Sequence, residues 1–418
     1  MVKMNVIEKL LCLNSFLFIC FIITCRSLYG DDYLYPIDFF ENELGKEYAL
    51  VMYHYETEGK QYKTKLLLWD PSTNQAFILL HSVFSPCRVH LLPNKKGFSF
   101  FDDGRFRIKW FKKKSTQVID FYAYIYHIGD VHWLTSTLCL FSAQYCAYYA
   151  LFVLTIQGDI LPLLHYKDRD FLFPSISSSA AETVFLVERT TQTKKGAQGK
   201  NKINFLHTIV TVPIQQIDSY RLILDEDKKR TILSIPSDQG IIFLYMIDDQ
   251  KGFFCTYRYS DVIEEHSGNR CTFLCYFFEA KEESHWESTY IFSFCLPTIF
   301  FDKRHLLYTL DFLTPMLPRY YDGTWYYISL DHNTIIEKEA SLKLYSYKHN
   351  THTTRLLATN ESLFVPVRNN KNRLYYGGRC MREQERAKKT TEQLLITHTE
   401  DGTFLIDLPY VIDGEEKL

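Results

Sequence analysis

The chain has 418 residues, with 47 Lys plus Arg against 49 Asp plus Glu, a formal net charge of -2 and 16% aromatic residues. That length exceeds what one compact core usually holds, so several domains or a repeat architecture is expected. The lack of a basic excess argues against a nucleic-acid partner, and the aromatic content excludes a disordered chain and leans toward strands.

The first 30 residues differ from the rest. Lys3 and Lys9 precede an apolar run from Leu10 to Cys25, broken by Asn14, Ser15 and Thr24 and followed by Arg26, Ser27, Leu28, Tyr29 and Gly30. A basic start, an apolar stretch shorter than the ~20 residues of a membrane span, and small residues at its end read as a secretory signal peptide over 1–30. Cleavage after Ser27 or after Gly30 fits, and retention as an uncleaved anchor is the alternative. The expected location is secreted or periplasmic, with membrane contact only through an uncleaved signal. Removing residues 1–27 leaves a mature chain near a net charge of about -4. It keeps eight cysteines, Cys87, Cys139, Cys146, Cys255, Cys271, Cys275, Cys295 and Cys380. An even number in an exported chain permits disulfides without requiring them, and most of these lie in apolar stretches where a buried thiol acts as a small hydrophobe.

From residue 31 on, one order of features recurs. EYALVMYHYE, Glu47 to Glu56, reads as a strand. KLLLWDPSTNQAFILL, Lys65 to Leu80, is two apolar runs about a Trp-Asp pair and a Pro-Ser-Thr-Asn turn, followed by Pro86 and the aromatic strand GFSFFDDG, Gly97 to Gly104. The order returns over Leu151 to Glu188 and Leu342 to Gly378, and more loosely over Arg221 to Met246 and His305 to Leu330. Arg105 to Ser142 and Cys255 to Ala280 share its texture. Strand openings near Leu66, Phe106, Leu151, Phe205, Cys255, Tyr290 and Leu342 step by about 35 to 54 residues, which brackets the 40 to 50 of a four-stranded propeller blade. No sustained apolar stripe at helical spacing occurs after residue 30; the nearest is Cys380 to Leu394, charged enough for a short surface helix or loop. LLITHTEDGTFLID, Leu394 to Asp407, reads as a hairpin turning at Glu400-Asp401-Gly402.

The order of strand, turn, Leu-Leu, Pro, polar turn and aromatic strand resembles the WD-like and TolB-type β-propeller repeats of exported proteins, over roughly Lys46 to Asp413, with the Trp-Asp pair present once. The expected fold is therefore all-β: a single β-propeller domain over 31–418, of about seven four-stranded blades, closed by N- and C-terminal strands because exposed edges are a hazard.

Chemistry is sparse. There is no Gly-x-Ser-x-Gly elbow, no His-Glu-x-x-His, no phosphate-binding glycine loop and no dinucleotide fingerprint, so no catalytic residue is assigned and no cofactor is expected. HIGDVH brings His127, Asp130 and His132 within six residues, enough to ligate a metal, although solvated histidines at a strand end explain them as well and no metal is expected. His349 to His352 falls where a hairpin turn belongs, and His285 lies beside Trp286 and carboxylates in ESHWES. RTTQTKKGAQGKNK, Arg189 to Lys202, reads as a basic loop that could meet an anionic surface. Two functions remain. One is a non-catalytic, monomeric propeller binding a protein or an envelope component. The other is a glycosidase-like propeller hydrolase whose carboxylates converge on a central channel.

Overall fold

A computed structural model describes residues 32–56, 62–81, 89–102, 105–112, 115–121, 125–126, 128–129, 131–176, 183–195, 201–218, 221–258, 270–282, 285–297, 316–330, 342–360, 367–369, 373–380, 395–399, 402–406 and 410–412. The signal-peptide reading, Cys87, His127, Asp130 and the helix-or-loop reading of Cys380–Leu394 beyond Cys380 lie outside them. The described chain is all β, with helix confined to single 3-10 turns such as Glu226–Lys228 and His349–Thr351.

The strands form six sheets, each built on a four-stranded antiparallel meander. The fold is thus an all-β propeller of six blades, which corrects the expectation of seven. The surplus blade comes from one pair of openings. The openings assigned at Cys255 and Tyr290 fall on Lys251–Arg258 and His285–Pro297, two strands of one sheet, and Phe205 lies inside the long strand Asn201–Ile217. The cassette read from the sequence also straddles sheets. Leu151 and its partner run are the last strands of one sheet, whereas Arg169–Ile176 opens the next.

Two compact units are distinguished. The first comprises Met1–Val83, Pro318–Lys348 and Thr353–Glu416. In it the meander Asp32–Glu41, Glu47–Glu56, Tyr62–Asp70 and Gln75–His81 belongs to a nine-stranded sheet that also holds the C-terminal strands. Asp32–Glu41 pairs antiparallel with Leu374–Cys380, which pairs with Leu395–Thr399, and Tyr410–Ile412 pairs parallel with Gln75–His81. The strand Asp32–Glu41 escaped the sequence reading because Pro36 interrupts it; the register shifts between Pro36 and Asp38, the kind of irregularity where a strand tolerates proline. Another sheet, with strands from 319 to 360, completes the unit.

The second unit comprises Phe84–Leu317 with His349–His352 and Lys417–Leu418, and holds four sheets. Gly97 opens one aromatic strand there because a Cβ would sit 2.3 Å from the Lys109 carbonyl oxygen of the neighbouring strand. In Leu138–Tyr145 successive side chains point to opposite faces. Cys139, Phe141 and Ala143 join a core with Phe106, Ile108 and Phe152, while Leu138 and Leu140 join another with Phe171, Leu186 and Val210. Burial of both faces makes the run LCLFSA apolar without alternation. Phe141 stacks on Phe152 with ring centroids 5.5 Å apart. Fully burying such a side chain is worth roughly 1.5–3 kcal/mol, so these paired rings are a main source of stability here.

Candidate functional site

The richest cluster of charged groups sits on the sheet formed by Arg169–Ile176, Thr183–Lys195 and Asn201–Ile217. Register sets it up: Asp170 lies opposite Arg189, and Arg189 opposite His207, so the three form one row on one face. Arg189 donates from both Nε and Nη2 to Asp170 Oδ2, each at 2.7 Å. Asp170 Oδ1 accepts the backbone N–H of Tyr149 at 2.7 Å. The guanidinium is 95% buried, and its carbon lies 4.6 Å from the Phe205 ring centroid and 5.5 Å from that of Tyr149. Two aromatic faces thus shield a charge already neutralised by Asp170.

His207 closes the row. It is fully buried, and its Nδ1 accepts the N–H of Ile241 at 3.1 Å, which leaves the ring proton on Nε2. Burial first, and the Arg189 charge second, hold its pKa well below the usual histidine range, so the ring is neutral. Arg189 Nη1 and His207 Nε2 are buried without a hydrogen-bond partner among the described residues.

The opposite face carries a second cluster. Glu188 accepts from Arg169 Nη1 at 3.1 Å and from Lys229 Nζ at 2.6 Å, and Arg169 also pairs with Asp168. Tyr166 donates to Glu226 beside it. Asp170 and Glu188 are therefore each matched by cations. Both carboxylates are structural anchors, each bonded to fixed donors on other strands.

Above these anchors the sheet narrows to a two-stranded ribbon. The flanking strands pair no further than Thr190 on one side and Thr208 on the other, whereas the ribbon continues in register to Lys195 opposite Asn201. Arg189 to Lys202, read from sequence as a loop, is thus largely an extension of two strands, with 196–200 outside the described residues. It holds Arg189, Lys194, Lys195, Lys200 and Lys202 and no acidic residue. The row and the ribbon base were missed in sequence because their members are brought together by register across strands.

The other candidates fare differently. His132 lies in Val131–Trp133, opposite Leu140, but His127 and Asp130 lie outside the described residues. Among the described residues no group of three or more His, Cys, Asp or Glu could hold a metal ion. His285 contacts the exposed Glu287 at 3.2 Å, and Trp286 packs on Phe185 and Phe278, so the described part of ESHWES is the start of the strand His285–Pro297, anchored by its indole. His349 packs at a tilt on Phe277, ring centroids 4.3 Å apart, with His352 nearby. Burial, then the neighbouring His352, lower its pKa.

The Trp-Asp pair proves to be a turn anchor. Asp70, 2% exposed, accepts from Ser72 N and Oγ at 2.9 and 2.6 Å, from Thr73 Oγ1 at 2.7 Å and from Lys46 Nζ at 2.8 Å. Trp69 Nε1 donates to Asn74 Oδ1 at 3.1 Å, and Asn74 takes the left-handed φ of 54° that closes the turn. Burial would raise the carboxyl's pKa, but the bonds from Lys46, Ser72 and Thr73 outweigh it and bring it down to about 2.

Several solved structures are similar to the chain. Prolyl endopeptidases superpose with a TM-score of 0.51 at 8% identity, over 94% of this chain and 52% of theirs, so the chain spans about half of that protein. The β-propeller domain of the trilobed protease from Pyrococcus furiosus gives 0.47 at 10% identity, over 89% and 97% of the two chains. A putative TolB from Agrobacterium tumefaciens gives 0.39 at 9% identity, over 72% and 90%. These likenesses concern the fold alone. No family model matches the chain, and no curated protein sequence does.

Proposed function

We propose that this protein is an exported, non-catalytic binding module, whose basic ribbon at Arg189–Lys202 docks on an acidic face of a partner protein or envelope component. The observation that carries the reading is that ribbon: two strands hydrogen-bonded to each other past the end of their sheet, in a segment that holds four lysines beyond Arg189 and no acidic residue, held at the base by the Asp170–Arg189 pair. A rigid strand pair loses less conformational freedom on binding than a loop of the same sequence. Clustered lysines supply long-range attraction to an anionic face, and they stand out because the chain outside Arg189–Lys202 carries 42 Lys plus Arg against 49 Asp plus Glu, a net charge of -7. Its repeats we read as WD-like and TolB-type on the strength of the Trp69–Asp70 hairpin.

The test is affinity capture from envelope or host extract, using the full chain and a variant with Lys194, Lys195, Lys200 and Lys202 changed to Glu. A specific acidic partner should be retained by the first, released by salt, and lost with the second at unchanged melting temperature, since surface changes of this kind move stability by only about 0.5 kcal/mol. Turnover of a glycoside, ester or peptide that a single Asp or Glu substitution abolishes would overturn the reading in favour of a hydrolase.

A further inference from the structure

Two strands of the second unit, Lys251–Arg258 and Arg270–Glu282, run antiparallel with Cys255 directly opposite Cys275. Their sulfurs are 3.2 Å apart, and both residues are fully buried. Register continues the row outward, with Phe243 beside Cys255 and Phe292 beside Cys275. Along the strands, the pairs Phe253–Phe277 and Tyr257–Phe273 stand on either side. The two thiols thus face one another within an aromatic frame.

The geometry points to a modification site: we propose that Cys255 and Cys275 are joined by a cross-strand disulfide when the chain folds in an oxidising compartment. Residues directly opposite in an antiparallel pair have Cα atoms about 4.5 or about 5.5 Å apart, depending on the pair type, and both values fall inside the range of about 4.4–6.8 Å that a disulfide spans. Closing the contact to the bond length of about 2.05 Å needs side-chain rotation of about 1 Å and no change of register. The other described cysteines of this sheet cannot substitute. Cys271 lies opposite Leu296, and Cys295 lies opposite Thr272, so neither faces a second cysteine across its ladder.

The step balances as an exchange. The two thiols lose two protons and two electrons and form one S–S bond. An incoming disulfide, such as oxidised glutathione or a thiol oxidoreductase, takes the electrons and leaves as two thiols, by way of a mixed disulfide. In the finished fold burial raises the Cys275 pKa well above the ordinary thiol value, so the attacking thiolate is scarce and the reagent has no access. The bond therefore forms while the hairpin is still open, and once buried it resists reductant. Closing the loop between residues 20 apart in sequence restricts the unfolded chain.

The full chain is refolded in a reduced/oxidised glutathione couple and, separately, in a strong reductant. Each soluble product is alkylated and digested, and its peptides are mapped by mass. The proposal expects one linked pair containing Cys255 and Cys275, 2 Da below the sum of the free thiol peptides, in the oxidised product alone. It also expects this link to survive reductant under native conditions but not in urea. The urea midpoint should be higher for the oxidised than for the reduced protein, and the Cys255→Ser/Cys275→Ser double variant should show no such gap. Recovery of both cysteines alkylated after oxidative folding, linkage of either one to another cysteine, or soluble protein obtained only in reductant would overturn it. No outcome depends on export or on the basic ribbon, so this result stands apart from the binding reading.

Discussion

Asp70 and Asp170 are both carboxylates largely withdrawn from water, yet they are held in different ways. Asp70 is surrounded by its own turn: Ser72 and Thr73 lie two and three residues ahead, and Lys46 is the one distant partner. Asp170 depends on chain far from it, on Arg189 at a separation of 19 residues and on the Tyr149 amide at 21. The first carboxylate closes a hairpin, and the second fastens two strands of its own sheet to a strand of the neighbouring sheet. Local anchors survive partial disruption because the turn that supplies them remains. Register-built anchors fail together, because removing one member strands a buried charge.

The largest loss of stability is expected for Asp170→Ala. It leaves the 95%-buried Arg189 guanidinium with no carboxylate, and stability should fall by about 3–5 kcal/mol in urea or thermal unfolding. A loss no larger than that of a surface ion pair would show that Arg189 has an alternative counter-charge.

Asp70→Ala comes next. It removes the acceptor for Ser72 and Thr73 but leaves Lys46, 40% exposed, free to be solvated, and a loss of about 1–3 kcal/mol is expected. This carboxylate also has an acid signature. Its folded pKa of about 2 lies below the ordinary value of 3.8, so its stabilisation is complete above 3.8 and is lost as pH falls from there toward 2. Comparing the acid limbs of wild type and variant should show the variant flatter over that window.

The smallest expected effect belongs to His207. A histidine whose folded pKa is depressed takes up a proton more readily when unfolded, so stability declines as pH falls below about 6.5. His207→Gln keeps an acceptor for the Ile241 amide and cannot titrate. Its unfolding midpoint should therefore match wild type near neutrality and fall less between pH 6.5 and 5. An equal decline in both proteins would remove His207 as the source.

This contrast also explains what the sequence revealed. The Asp70 anchor was visible as WDPSTN, since a turn written in consecutive residues needs no knowledge of pairing. The hairpin Leu395–Thr399 with Gly402–Ile406 was legible for the same reason. The Asp170–Arg189–His207 row was not, because Arg189 heads a stretch whose Thr, Lys and Gly content reads as loop, and only the ladder to Phe205 and His207 shows it to be strand. The blade count failed at the same level. Cys255 and Tyr290 each open a convincing apolar run, and nothing local in either run says that both lie in one sheet.

The pairing of the chain's two ends has a consequence in time. Asn369 donates to Glu47 across 322 residues, and Gln75–His81 receives its parallel neighbour only when Tyr410–Ile412 arrives. At a synthesis rate of about 5–20 residues per second, the opening meander would wait roughly 15–60 s for the strands that complete its sheet. Through that interval Asp32–Glu41 and Gln75–His81 would present unpaired edges to other nascent chains. An early hairpin of this kind is a natural client for a chaperone that caps strand edges, and slow closure of these long-range contacts makes folding rate, more than final stability, the vulnerable quantity.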